Sequence, residues 1–369
     1  MSFQPRDAFS SPRFSQPATF MRLPYRDEVD GVDVAIVGAP FDGGTSYRPG
    51  ARMAPREIRA QSSLIRPYNY FQKIAPFEHL RVIDAGDIDA SPVNLQDAYR
   101  AIEDRIATIA AARAVPMVVG GDHSISLPVL RALARAHGPL GLVQFDSHID
   151  TWDQDFGSPY FHGSPFWHAV REGAIDPRRF IQVGIRGPMY GENDFAFHRE
   201  HAVTVRDITQ VKERGVASIA EEIRQVVTGP CYVTFDIDAV DPAFAPGTGT
   251  PEVGGLTSDE ALRLVRGLAG ASESAGVGPG SSGVAPGSSG VAPGSSAVGP
   301  GSSGGVPGAA AALGCRDPGH PAGLYIVGCD VVEVSPLFDG PGQITALLAA
   351  NIMFELLGVI ARRPGHGNR

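Results

Sequence analysis

Three short stretches place ionisable side chains where apolar runs stop. GLVQF is followed by Asp146, His148 and Asp150 at every second position, CYVTF by Asp236 and Asp238, and VPMVV, after two glycines, by Asp122 and His123. In an extended strand, side chains at i, i+2 and i+4 share a face. Asp146 and His148 therefore point together, with Asp150 joining them if the chain stays extended, while Ser147 and Ile149 face away. Any one such cluster has an ordinary explanation as a helix cap or turn. Taken together, Asp146, Asp150, Asp236, Asp238, His123 and His148 converge if their strands are neighbours, and four carboxylates in one cleft repel unless cations neutralise them.

Four carboxylates balance two divalent ions in formal charge, and the set offers oxygen and imidazole but no thiolate. Mn2+ fits best, ahead of Ni2+, Co2+, Mg2+ or Zn2+. Two such ions about 3.5 to 4 Å apart can share a water and lower its pKa towards neutrality, so metal-assisted hydrolysis is the implied reaction class. His162, in FHGSPF, could relay protons to and from such a site, although a loop histidine there is unremarkable by itself. Glu260, in GGLTSDEALRLV, stands in the pattern Thr257-x-x-Glu260, which taken alone makes it a helix cap.

The elements that must position these groups follow from periodicity. VDVAIVGAP, RVIDAGDI, VPMVVGGD, GLVQFDSH, RFIQVGIRG, PCYVTFDID and LYIVGCDVVEV are short apolar runs. They alternate with LQDAYRAIEDRIATIAAARA, ISLPVLRALARAHG, VASIAEEIRQVV and SDEALRLVRGLAG, which carry apolar residues at helical spacing. That alternation predicts an α/β fold with a mostly parallel sheet covered by helices and with polar groups where the strands leave it. Ligand sites in such folds lie at the carboxyl ends of the strands.

With 369 residues and 43% hydrophobic content, the chain can bury a full core. The net charge of -9 and the absence of Lys/Arg runs argue against nucleic acid as a partner and suit a cationic small molecule. Cys231, Cys315 and Cys329 lack framework spacing and read as free thiols of a reducing compartment. The N-terminus has no apolar signal core, and no run is expected to span a membrane, so a cytoplasmic location follows. Residues 276–310 repeat a charge-free unit of the type GVAPGSS. Such a sequence cannot bury enough apolar surface to fold, and 273–321 is expected to be a disordered insertion. It is read as a tolerated repeat expansion in preference to a partner-binding tract.

The set GGDHS, DSHID, HGSPF, FDIDAVDPAFAPGTGTPEVGGLT and DVVEVSP resembles the ureohydrolase family of arginases and agmatinases, over the chain from about residue 18. TFMRLP and GGTSYRPGARMAPREIR are similar to the branch of agmatinase, guanidinobutyrase and guanidinopropionase. The resemblance implies a three-layer α/β/α, arginase-like fold from 18 to 369, interrupted by 273–321 and preceded by a flexible segment 1–17. It implies a dinuclear Mn2+ centre, two ions per subunit, that hydrolyses a guanidinium group to urea and an amine. His123, Asp146, Asp150 and Asp236 would hold one ion and Asp146, His148, Asp236 and Asp238 the other, with Asp146 and Asp236 bridging. It implies His162 as proton relay and Glu260 as the acid that binds the guanidinium, displacing the structural readings of both. With Asp150 these form the expected catalytic set.

The motif reads Asp-Ser-His where most members have Asp-Ala-His, and Ser147, on the opposite face, is expected to matter little to the metals. The segment TWDQDFGSPYF lacks the polar pattern with which arginases bind the amino-acid end of arginine. That leaves agmatine or an ω-guanidino acid; agmatine, converted to putrescine and urea, is the preferred expectation, with guanidinobutyrate or guanidinopropionate as the alternative. Trp152 and Asp153 are expected to contact it, Asp153 or Asp155 meeting an ammonium, whereas a carboxylate would call for Arg48 or Arg186. The family further implies a homo-oligomer, trimer or hexamer. A metal-bound scaffold without catalysis is the remote alternative.

Overall fold

The computed structural model describes residues 3–270 and 323–363. The strands are β1 (Val34–Gly38), β2 (Val82–Asp87), β3 (Val115–Val119), β4 (Leu140–Phe145), β5 (Ile175–Ile185), β6 (Thr204–Asp207), β7 (Pro230–Asp236) and β8 (Tyr325–Val332). They form one sheet in the order β2-β1-β3-β8-β7-β4-β5-β6, with every neighbouring pair parallel. Most are buried on both faces, which is why they read as unbroken apolar runs. The exception is β6, a four-residue edge strand with every residue half-buried; its TVRD carries no apolar run, and periodicity misses it.

The helices are α1 (Ala54–Ser62), α2 (Pro76–His79), α3 (Leu95–Ala111), α4 (Ser126–His137), α5 (Pro165–Arg171), α6 (Ala196–His201), α7 (Ile208–Arg214), α8 (Val216–Val226), α9 (Ser258–Gly267) and α10 (Ile344–Ala361). Ile58 of α1, Ile219 of α8, Leu264 of α9 and Leu356 of α10 pack on one face of the sheet with Met117, Phe145 and Phe235. Ile102 of α3, Leu130 of α4 and Phe166 of α5 pack on the other with Leu142, Phe180 and Tyr232. The result is the three-layer α/β/α arrangement expected.

The expectation that no run could span a membrane needs correction. Helix α10 has 18 residues, a mean hydropathy of 2.0 and 78% of its residues buried, so length and composition alone would let it cross one. Its place in the fold explains the composition instead. Packed in the core, it carries a buried Glu355 that accepts from Arg266 Nε at 2.8 Å, Asn69 Nδ2 at 2.9 Å and Gln72 Nε2 at 2.7 Å, partners a lipid-facing helix would lack. Being apolar all round, it shows no stripe for a helical-periodicity search to find.

Residues 3–17, expected to be flexible, are tied to the body. Gln4 Nε2 donates to Phe77 O at 2.6 Å, Arg6 N to Arg22 O at 2.9 Å, and Arg22 Nη2 to Ser11 O at 2.8 Å. The expected insertion 273–321 and Cys315 lie outside the described residues; Cys231 and Cys329 are free and buried.

The four central strands β3, β8, β7 and β4 are consecutive neighbours, with Val119 in register with Val331, Val332 with Asp236, and Phe145 with Phe235. Their carboxyl ends therefore lie side by side; β3, β7 and β4 lead into the three ionisable clusters, and β8 leads into Glu333.

Candidate metal centre

None of the three clusters is built by strand alternation. Strand β4 stops at Phe145 and β7 at Asp236. At each strand end an aspartate accepts from the backbone N–H two residues on: Asp122 from Ser124 N at 3.0 Å, Asp146 from His148 N at 2.6 Å, and Asp236 from Asp238 N at 2.8 Å. These are Asx turns. In Asp146 and Asp236 the turn occupies Oδ1 and leaves Oδ2 for the cluster, so the structural and the chemical readings of these residues hold together. Asp150 arrives by another route, with a left-handed φ of 48° that bends the chain back.

Before His123, Gly120 and Gly121 both have φ of 84°, and a Cβ on Gly121 would lie 2.6 Å from Ala39 O. Only glycine fits that turn. The fully buried His123 then places Nδ1 2.8 Å from Asp150 Oδ2, 3.1 Å from Asp146 Oδ2 and 3.2 Å from Asp236 Oδ2. Its Nε2 lies 2.8 Å from Thr234 Oγ1, which itself donates to Asp330 Oδ1 at 2.5 Å. With its hydroxyl proton directed to Asp330, Thr234 accepts from Nε2–H, so a neutral ring would present its lone pair at Nδ1 to a bound cation. A second group joins Asp146 to His148 and Asp238. His148 Nδ1 is 3.0 Å from Asp238 Oδ2 and 3.7 Å from Asp146 Oδ1.

Divalent cations suit this set. His123 Nδ1 is buried and makes no properly directed hydrogen bond, although three carboxylate oxygens crowd it. Ligands about 2.1 Å from an octahedral ion sit about 3 Å apart, which is the spacing found around Nδ1. Burial, reinforced by Asp150 and Asp238, pushes Asp146 up to about 7. Burial, with Asp238 and Asp146, likewise raises Asp236 well above the carboxylate range. Burial opposes charge on His123, but the surrounding carboxylates outweigh it and raise its pKa well above the usual value. The pocket thus demands positive charge, which bound cations would supply in place of protons.

The clusters assign Asp146 to both groups and Asp236 to the first alone. Both residues use Oδ1 for their Asx turns, and the second bridge that the resemblance implies at Asp236 stays an expectation. Ser147 also departs from expectation. It does not face away: its N and Oγ donate to Asp238 Oδ1 at 3.0 and 2.7 Å, because the chain turns after Phe145 instead of continuing as a strand.

His162 lines the adjoining cleft of about 250 Å³ together with Ser46, His148, Asp150, Trp152 and Asp155. Its Nε2 lies 2.7 Å from Ser46 Oγ and its Nδ1 2.9 Å from Glu333 Oε1. Burial works against its charge, but the Glu333 carboxylate outweighs it, raising the pKa to about 9.

Glu260 does not reach this cleft. Its Oε2 accepts from Thr257 N at 2.8 Å, Thr257 Oγ1 at 2.9 Å and Lys212 Nζ at 2.5 Å, completing the capping box of α9. The glutamate at the centre is Glu333, within DVVEVSP, for which the sequence alone indicates no role. It is 1% exposed, has φ of 61°, accepts from His123 N at 2.8 Å through Oε1, and leaves Oε2 buried without a partner. The available signal was an acid closing the apolar run of β8.

Two further corrections concern the substrate loop. Asp153 is exposed and outside the cleft lining, which takes Asp155 instead, alongside the expected Trp152. Arg186 is not available to a ligand, because it donates to the carbonyls of Gly184, Asp238, Ala239, Glu252 and Val253, bracing the loop behind the second group. Also unforeseen were Gln144 and Gln182 on adjacent strands. Gln182 Nε2 donates to Gln144 Oε1 at 2.8 Å, and Gln144 Nε2 to Asp146 Oδ2 at 2.7 Å, so a buried amide relay holds the shared carboxylate.

A family model described as the Arginase family matches residues 32–277 and 289–358. The chain is 44% identical to guanidinopropionase of Pseudomonas aeruginosa, covering 97% of this chain and 96% of that one. It is 39% identical to a mitochondrial agmatinase of Gallus gallus, covering 93% and 85%. Among solved structures, proclavaminate amidino hydrolase from Streptomyces clavuligerus aligns with a TM-score of 0.78 and 38% identity, covering 95% of this chain and 99% of that one.

Proposed function

The chain belongs to the arginase family, and from that premise we propose that it hydrolyses the guanidinium group of agmatine to urea and putrescine at a dinuclear Mn2+ centre. At the coarser level it is a hydrolase of C–N bonds in guanidino compounds, as its relatives are named. The observation that carries the proposal is Glu333 Oε2, a buried carboxylate oxygen without a partner on the same residue that binds His162. A planar cation with paired N–H donors is the ligand such an oxygen lacks.

Gly249 packs beside this oxygen, where a Cβ would lie 3.4 Å from Glu333 Oε2 and 3.0 Å from Arg48 O. His123, Asp146, Asp150 and Asp236 would hold one ion and Asp146, His148 and Asp238 the other. Two such ions supply Lewis acidity and a water whose pKa is lowered towards neutrality. Glu333 would accept from the guanidinium through Oε2 and orient it. His162, holding a proton at neutral pH and facing the cleft beside Ser46, delivers it to the leaving amine.

The tail of the substrate meets Trp152, Asp155, Phe161 and Tyr190. Among the described residues no Lys or Arg lines this cleft, and Arg48 stacks between Tyr47 and Phe338 at 5.3 and 5.1 Å. An ammonium tail suits an acid among aromatic faces, which favours agmatine. Guanidinopropionate or guanidinobutyrate remains the second reading, favoured by the 44% identity to guanidinopropionase. Urea release from the Mn2+-loaded protein should be highest with agmatine across a panel of guanidino compounds. A preference for an ω-guanidino acid would select the second reading, and no urea from any compound would end both.

A further inference from the structure

Ser147 is completely buried between the shared carboxylate and the second ligand group. Both its donors go to one atom: backbone N and Oγ reach Asp238 Oδ1 at 3.0 and 2.7 Å. Held from two sides, the Asp238 carboxylate cannot rotate to exchange its oxygens. Oδ2 is thereby kept 3.0 Å from His148 Nδ1, and Thr250 Oγ1 approaches it at 3.3 Å. Because the Ser147 hydroxyl proton points to Asp238, its oxygen, 3.1 Å from His148 Nδ1, adds no competing donor to that nitrogen.

The first group is held by other means. Thr234 orients His123, the Asx turn orients Asp236, and Gln144 holds Asp146; no hydrogen bond links Ser147 to His123, Asp150 or Asp236. The Ser147 hydroxyl therefore supports the second group without touching the first, which is linked to it through the shared Asp146 and the Asp238 backbone N–H that Asp236 accepts.

We infer that Ser147 is a positioning residue for the second divalent cation alone, acting by fixing Asp238 Oδ1 so that Oδ2 is presented beside His148. The inference rests on the dinuclear reading above. Alanine at this position keeps the backbone donor and nearly the same shape while removing the hydroxyl, so it tests the hydrogen bond without opening a cavity.

The experiment uses the full chain, stripped with a chelator and titrated with Mn2+ by calorimetry, with bound metal counted by elemental analysis. In Ser147→Ala the first equivalent should bind as in the wild type, and the second should weaken by about 10- to 100-fold, the usual effect of losing a hydrogen-bond partner of a metal ligand. The spin-coupled Mn2+ pair signal should fade at Mn2+ concentrations that saturate the wild type, while the metal-free protein stays folded, its melting temperature lowered by no more than the loss of one buried hydrogen bond. Unaltered binding or equal weakening of both equivalents would overturn the role. A wild type that takes up a single equivalent would overturn the dinuclear reading itself, and this inference with it.

Discussion

Glu260 and Glu333 carry the same carboxylate in opposite circumstances. Glu260 opens α9, and its Oε2 satisfies the Thr257 backbone, the Thr257 hydroxyl and Lys212. Glu333 ends β8 inside the protein with a left-handed backbone and one oxygen unmatched. A buried polar atom without a partner costs about 1 to 3 kcal/mol, so a fold that retains one leaves room for something else to meet it. The comparison teaches that pattern matching ranks residues by neighbours in sequence, whereas function follows the hydrogen bonds that remain to be made.

That contrast can be broken or sharpened by experiment. The largest effect should come from the carboxylate common to both ligand groups. Asp146→Ala should lose both metal equivalents by elemental analysis and depress kcat/KM by on the order of 10³-fold or more. Glu333→Gln removes the charge while keeping the size, and kcat/KM for the best guanidino substrate should fall by about 10²- to 10³-fold, in the range found for single electrostatic groups in active sites. His162→Ala should keep its metal and slow turnover by about 10²-fold or more; if metal content fell instead, its assignment as a proton donor would be wrong.

Metal removal tests the crowding that makes the centre what it is. Folding raises Asp122 to about 6, Asp146 to about 7 and Asp236 above its ordinary range, chiefly by burial. An acid whose pKa rises on folding binds more protons folded than unfolded, so its contribution is lost as pH rises through the folded value. His162, raised to about 9, acts in the same direction. The chelated protein should therefore melt at progressively lower temperature between pH 5 and pH 9, and Mn2+ should flatten that dependence in calorimetric scans. Glu260→Gln should be the mildest change, costing about 1 kcal/mol of stability through the weakened cap and moving kcat/KM little. A catalytic loss comparable to that of Glu333→Gln would break the contrast.

The first-group ligands were legible from residue types at strand ends, but for a reason only partly right. Period-two spacing suggested a shared strand face. The aspartates are two residues from their partners because each turns the chain by binding an N–H two residues on. Both geometries produce the same spacing, so His148 and Asp238 gather beside Asp146 as expected although for another reason, whereas Ser147, judged by the same rule, was placed on the wrong side. Helix α10 escaped notice for the converse reason, since a helix buried on every side has no periodic stripe.

From the sequence alone came the parallel α/β sheet, the six His and Asp side chains that cluster at the strand ends, and His162 beside them. Buried strands must be apolar throughout, and acids at their ends call for cations once those ends are brought together. Only the tertiary structure decided that β3, β8, β7 and β4 are neighbours, that Glu333 and not Glu260 stands at the centre, and that Asp155 and not Asp153 lines the cleft. Those outcomes depend on which hydrogen bonds are already made by residues distant in the chain, and no local pattern records a partner two hundred residues away.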